Sequence, residues 1–262
     1  MKDRFYENQL INNPYYSNFI STFEKKRIVP KEISRFEKLN LDYKILHQNY
    51  AHSYHSLYDE AKKRIRRIEY SVGGTAINRG YYSPSALDLV VTGMKRGRLL
   101  KRKPASEKFD YEYFFDENDH LILVHTYQHD WEPKGIISVE FIIYQDFDTL
   151  SLKYDIHNNY PLILMTKSHS ENGLLLRYED ALYMFEGDMS EINVETFEYD
   201  DGKMKAFSWS RYVPTLSLLE QLRYDLNRDA EGYFSTYTVK DLNKPDLESN
   251  ELETYKVLAR RR

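Results

Sequence analysis

The sequence predicts an α+β fold: an antiparallel β-meander of six to eight strands, packed against a long N-terminal helix and a second helix near residues 215–228. Three observations lead there. Between residues 109 and 209, short runs rich in Val, Ile, Phe and Tyr alternate with turn residues at the spacing of an antiparallel sheet. From Leu41 to Ile68, apolar residues recur at intervals of three and four, the period of one helix face. Leu216, Leu219, Leu222 and Leu226 repeat that interval after Pro214.

In chain order, residues 1–30 are polar with scattered aromatics, and Ser17 to Lys26 suits a short helix beyond the Asn13-Pro14 turn. The long helix follows. Tyr43, Leu46, Tyr50, Tyr54, Leu57, Ala61, Ile65 and Ile68 form its apolar stripe, Asn40 or Asp42 caps its start, and its length is about 24–28 residues. Gly73-Gly74 and Gly80 break the chain. Ser83-Pro84 reads as an N-cap followed by proline at the first helical position, opening a helix through Leu87, Val90 and Val91 to about Met94. Lys95 to Lys103 is a basic connector that ends at Pro104.

The sheet begins after Lys108. Phe109, Tyr111, Tyr113 and Phe115 alternate along a first strand, and His120 to Tyr127 returns after Asp116-Glu117-Asn118-Asp119. Ile136 to Tyr144 and Leu150 to Ile156 flank the next turn, and Pro161 to Thr166 and Leu174 to Tyr178 flank a loop ending in Asn172-Gly173. Ile142-Ile143 and Leu174-Leu175-Leu176 are apolar on both faces, so these strands should be covered on both sides. The clearest hairpin turns at Asp201-Gly202, because both central residues of a type I′ turn need positive φ. A two-residue loop there sets Asp200 against Lys203, Tyr199 against Met204, Glu198 against Lys205 and Phe197 against Ala206. Tyr233 to Val239 is a last strand, and Pro245 to Arg262 reads as a polar tail with a helical turn or two near Leu252. The organisation expected is a basic, mainly helical region (1–108), a sheet with one helix (109–245) and a polar tail (246–262), together forming one compact unit.

Composition narrows the function classes. A 41% hydrophobic and 30% charged chain is globular rather than disordered. Without cysteine, disulfides, thiol catalysis and cysteine metal sites are excluded. The start lacks a signal-peptide apolar core, and no apolar run approaches the roughly 18 residues of a spanning helix, so a cytoplasmic protein without membrane contact is expected. The net charge of −4 hides an asymmetry: residues 1–110 carry 22 Lys+Arg against 12 Asp+Glu, the remainder 15 against 29.

No catalytic, cofactor or metal set emerges. His52, His55 and Asp59 share one face of the predicted helix, but that face points away from the apolar stripe and into solvent. His125 and His129 lie too far apart on an extended strand to share a metal. No nucleophile elbow or phosphate-binding loop is present. Two basic clusters stand out, Lys62, Lys63, Arg64, Arg66 and Arg67 on the long helix, and Lys95, Arg96, Arg98, Lys101, Arg102 and Lys103 in the connector. They fit either a phosphate or acidic-protein contact, or neutralisation of the protein's own acidic half.

Recognition is expected at the loops between strands. In a meander, turns alternate between the two ends of the sheet, so the connections holding Trp131 and Tyr160 share an end. These two rings are the candidate partner anchors, with Asp130, Glu132 and Asp155 as an acidic rim suited to a basic partner. The Asp180 to Ser190 connection, with Tyr183, Met184 and Phe185, is a further candidate.

Phe197-Glu198-Tyr199-Asp200-Asp201-Gly202-Lys203 resembles a YD-repeat unit of the large bacterial polymorphic toxins, and Phe114 to Leu121 is a looser version. A small cysteine-free meander protein with skewed charge is also similar to the immunity proteins encoded beside such toxins. This likeness is one of architecture and carries over no functional residue. The favoured expectation is a non-enzymatic protein-binding module of immunity-inhibitor type. The alternatives are a nucleic-acid-binding accessory protein of bacterial or phage origin, and an enzyme with a loop-assembled site.

Overall fold

The computed structural model describes residues 30–74, 85–91, 97–103, 109–129, 134–184, 187–243 and 254–261. The predicted segment 17–26 lies outside them. Helix α1 spans Pro30–Tyr50 and α2 spans Tyr54–Arg64. Two strands follow, β1 (Arg67–Val72) and β2 (Arg98–Leu100). The meander proper then runs through β3 (Tyr111–Phe115), β4 (Leu121–Gln128), β5 (Gly135–Gln145), β6 (Asp148–Asp155), β7 (Leu162–Glu171), β8 (Leu174–Tyr183), β9 (Met189–Asp200), β10 (Lys203–Val213), β11 (Leu218–Arg228), β12 (Phe234–Asp241) and β13 (Thr254–Arg261). All pair antiparallel in one thirteen-stranded sheet, in strict chain order from β13 to β3, after which β1 and then β2 complete the edge. Among the described residues, no helix is long and apolar enough to cross a membrane.

This corrects the expected α+β fold of six to eight strands against a long helix. The single helix of 41–68 does not exist. The chain turns at Ala51 and His52, and Ser53 accepts the Leu57 N–H to start α2. Ile68, the last residue of the predicted stripe, lies in β1 opposite Phe114. The edge of β3 offers a full ladder of backbone partners, and that tertiary pairing outweighs a helical spacing of side chains. The helix actually starts at Pro30, a first-turn proline, and Ile33, Phe36, Tyr43 and Leu46 carry its buried face.

The second helix of 215–228 is also absent, its place taken by β11. Leu222 and Tyr224 face Trp209 and Phe207 of β10, and Leu226 faces Tyr237 of β12. The same leucines therefore satisfy a period of two, and the exposed β10 edge selects it. Of the helix expected to open at Ser83-Pro84, the described part is a short π-helical turn, Leu87–Val91. Strand β13 lies in the segment read as a polar tail.

The hairpins follow their turn residues. Asp201 and Gly202 have φ of 48° and 69°, and Asn172 and Gly173 have 50° and 78°, as two-residue primed turns require. The first two predicted pairs at Asp201-Gly202 form, Asp200 with Lys203 and Tyr199 with Met204. A bulge at Lys205 then moves Glu198 opposite Ala206 and Phe197 opposite Phe207.

The sheet has two differently covered faces. On the first, α1 and α2 lie over Phe141, Leu152, Tyr154, Met165, Ala181, Ile192 and Leu219. Tyr43 fixes α1 there, its hydroxyl donating to Glu179 at 2.8 Å while its carbonyl accepts the Tyr183 hydroxyl at 3.0 Å. Tyr54 and Tyr58 of α2 sit edge-on to Phe141. The second face holds two apolar groups, one around Tyr113, Val124 and Ile142 and one around Tyr178, Phe207 and Tyr224. Between them runs a hydrogen-bonded polar row in which Ser151 donates to Glu140 and meets Thr166 at 2.8 Å.

Candidate functional site

That polar row continues into a cleft of about 430 Å³ on the second face. Strand register builds it. Tyr178 faces Glu195 and Asp180 faces Asn193 across β8 and β9. Glu195 in turn faces Trp209, and Asn193 faces Arg211, across β9 and β10. Directly paired residues point to the same side, so one acid-rich patch with an indole and a phenol forms on the sheet face. Ser85, Leu87 and Asp88 of the π-helical segment form the opposite wall.

Glu195 is spoken for structurally. Ser85 Oγ donates to its Oε1, and the Ala86 and Leu87 N–H groups donate to Oε2 at 2.7 and 3.3 Å. Ser85 Oγ also accepts the Asp88 N–H, so serine and glutamate together cap this turn. Burial pushes the Glu195 carboxyl up to about 7, against the pull of the three donors, and the nearby Asp180 adds to the rise.

Asp180 is supported less. Its one hydrogen bond among the described residues is from Asn193 Nδ2 at 2.9 Å. Burial, aided by the like charges of Glu191 and Asp88, lifts it to about 7. Asn193 Nδ2 also reaches Glu191 Oε1 at 3.3 Å, and Arg211 Nε donates to Glu191 Oε2 at 2.7 Å. Among the described residues, Glu191 thus has a counter-ion, while Asp180 has only an amide. The cleft can hold a proton on Asp180 near neutrality or exchange it for a cation. Further along β8, Leu182, opposite Glu191, is 39% exposed, and Met184 just past the strand is 62% exposed.

Of the sequence-predicted anchor and rim residues, the structure describes Tyr160 and Asp155. Asp130, Trp131 and Glu132 lie outside the described residues. The connections holding Trp131 and Tyr160 do leave the sheet at one end, as do the β8–β9 and β10–β11 connections. Tyr160 sits at φ 57° and stacks on Tyr54 with centroids 4.2 Å apart. Asp155 accepts the His157 N–H and the Asn158 amide, closing its own loop.

In the first basic cluster, Arg64 pairs with Asp116 at 2.9 Å, Arg67 with Asp119 at 3.0 Å and also with Glu69, and Lys62 with Asp59 at 3.5 Å. Arg66 donates to the carbonyls of Lys63 and Ile65. In the second cluster, Lys95 and Arg96 lie outside the described residues, Arg98, Lys101 and Arg102 are exposed, and Lys103 lies over the Tyr70 and Phe109 rings.

The histidines also moved. His52 falls in the α1–α2 turn while His55 is on α2, so they do not share one continuous helix face. His125 is buried, its Nδ1 3.2 Å from Glu112, and its Nε2 lacks a partner.

Sequence reading singled out the Asp180 connection but missed Glu191, Asn193 and Arg211. The only signal was a polar residue at every second position, Glu191, Asn193 and Glu195, between apolar Ile192 and Val194. That is also the signature of a solvent-facing strand face. In comparison with known proteins, no family model and no curated protein matches this sequence.

Proposed function

We propose that the protein is a non-enzymatic protein-binding module that receives a basic, partly apolar segment of a partner protein at the mouth of this cleft. The observation that carries the reading is Asp180, a carboxylate enclosed with, among the described residues, only an amide donor, and with Glu191 and Asp88 raising its energy further. An arginine or lysine from a partner would supply the missing counter-charge in a site already desolvated, where such a pair is strongest. Leu182 and Met184 beside it supply apolar contact, and methionine suits an adaptable interface. Trp209 and Tyr178 add ring surface within the cleft.

The raised carboxyls do not by themselves favour catalysis. Glu195 and Ser85 are engaged with each other, and Glu191 is engaged with Arg211. An immunity-type inhibitor of a bacterial toxin is the finer form of this reading, since such an inhibitor must hold a basic protein surface tightly. The test is affinity capture from the native host with wild type, Leu182→Asp and Asp180→Asn. A basic protein retained by wild type and lost from both variants, with melting points not lowered, is the expected result. Capture indifferent to both substitutions would refute the site.

A further inference from the structure

We propose that the β1–β2 edge and the end of α2 form a sequence-independent contact for the phosphate backbone of a nucleic acid. The two basic clusters are some thirty residues apart in sequence, and the fold brings them together. Strand β2 pairs antiparallel with β1, with Leu100 opposite Tyr70 and Arg98 opposite Val72. Leu100 is therefore only three residues, about 10 Å, from Arg67 along the edge. Lys101 and Arg102 leave β2 on that side, and α2 delivers Lys63 and Arg66 to the start of β1.

Hydrogen bonding divides these cations into two sets. Lys62, Arg64 and Arg67 are held by carboxylates of the protein itself. Lys63, Arg66, Arg98, Lys101 and Arg102 are exposed and have no carboxylate partner among the described residues. Arg66 is positioned rather than neutralised: its Nη1 binds the Lys63 and Ile65 carbonyls at the α2 C-terminus, leaving Nε and Nη2 for a ligand. Of the acids bordering the patch, Asp59, Glu69, Asp116 and Asp119 are bound to the first set, Asp110 accepts the Gly73 N–H, and Glu112 is bound to His125 and Tyr127.

The patch has the length of several phosphates, with Lys63, Arg66, Lys101 and Arg102 toward the Arg67 end and Arg98 at the Val72 end. From Arg67 to Val72, opposite Arg98, the edge measures about 17 Å at the rise of a strand. Along one strand of a duplex, with phosphates roughly 3.4 Å apart in axial rise, that length covers about five phosphates. Among the described residues the patch's cations come from a helix end, a strand and the segment after it, so the contact proposed is to the backbone and carries no base preference.

The test is fluorescence anisotropy of the full chain with a labelled duplex of about 20 base pairs in mixed sequence, over a salt series. Five contacts give a log-log salt slope of about −4.5. Lys63→Ala with Arg66→Ala, or Lys101→Ala with Arg102→Ala, should each make the slope less steep by about two, while changing the duplex sequence should not. Leu182→Asp, which targets the carboxylate cleft, should leave DNA binding unchanged, so the two sites succeed or fail separately. The residues replaced are exposed, and unchanged melting of the variants confirms that the fold persists. No binding at the lowest salt, slopes indifferent to both double substitutions, or equally tight binding of poly-glutamate would overturn the proposal. The last would point to an acidic protein instead.

Discussion

Replacing Asp180 with asparagine should stabilise the protein, and more so as pH rises. The folded carboxyl holds its proton to about pH 7, whereas the unfolded one releases it near 3.8. Between those values unfolding sheds a proton, so stability falls as pH rises through the window. Three units at about 1.36 kcal/mol each set a ceiling of about 4 kcal/mol at pH 8, reduced by whatever water enters the cleft. Asparagine keeps the oxygen that accepts Asn193 Nδ2 at 2.9 Å and removes the charge. The Asp180→Asn gain should therefore be about 2–3 kcal/mol larger at pH 8 than at pH 5. Urea unfolding of both proteins at the two pH values measures it. An equal gain at both, or a less stable variant at pH 8, would show that burial does not hold this carboxyl at a cost. If the result is as expected, and the same variant loses its partner, the residue is kept for binding at the expense of stability.

Other changes probe the frame. Gly202→Val places a β-branched residue at φ 69° and should destabilise by more than about 1 kcal/mol, read as a lowered urea midpoint. Tyr43→Phe removes the hydroxyl that meets Glu179 inside the first face, and a loss of about 1.5–3 kcal/mol is expected from the same measurement. His169 has its pKa raised by hydrogen bonds to Asp148 and Glu171. Its contribution is thus complete below pH 6.5 and fades as pH rises through the folded value. In His169→Gln that slope should be missing from melting curves taken across neutral pH.

Turns were the legible part of this chain because their chemistry is local. Asp201-Gly202 and Asn172-Gly173 must adopt positive φ wherever they stand, and both do. Helix against strand was not legible where a segment carries both periods. Leu219, Leu222 and Leu226 step by three and four, while Leu222, Tyr224 and Leu226 step by two, and only the neighbouring β10 decides between them. Ile68 belonged to a helical stripe until β3 offered it Phe114. The carboxylate cleft was illegible for a related reason. It joins Asp88, Asp180, Glu191 and Arg211 from four segments, and its character lies in which of them lacks a counter-ion. The meeting of the basic clusters likewise needed the β1–β2 register.

From β4 to β12 each strand bonds only to the strands before and after it in the chain. The sheet therefore behaves as a one-dimensional array, with stability the sum of neighbour couplings and no contact that a distant strand must wait for. A hairpin inserted or deleted at a turn would widen or narrow the sheet by roughly 9.5 Å without re-registering any other pair. Surface sites built from two or three adjacent strands, as the carboxylate cleft is, can then be moved, duplicated or lost as units. Helices α1 and α2 pack across several strands, so the strands they cover are coupled beyond their nearest neighbours.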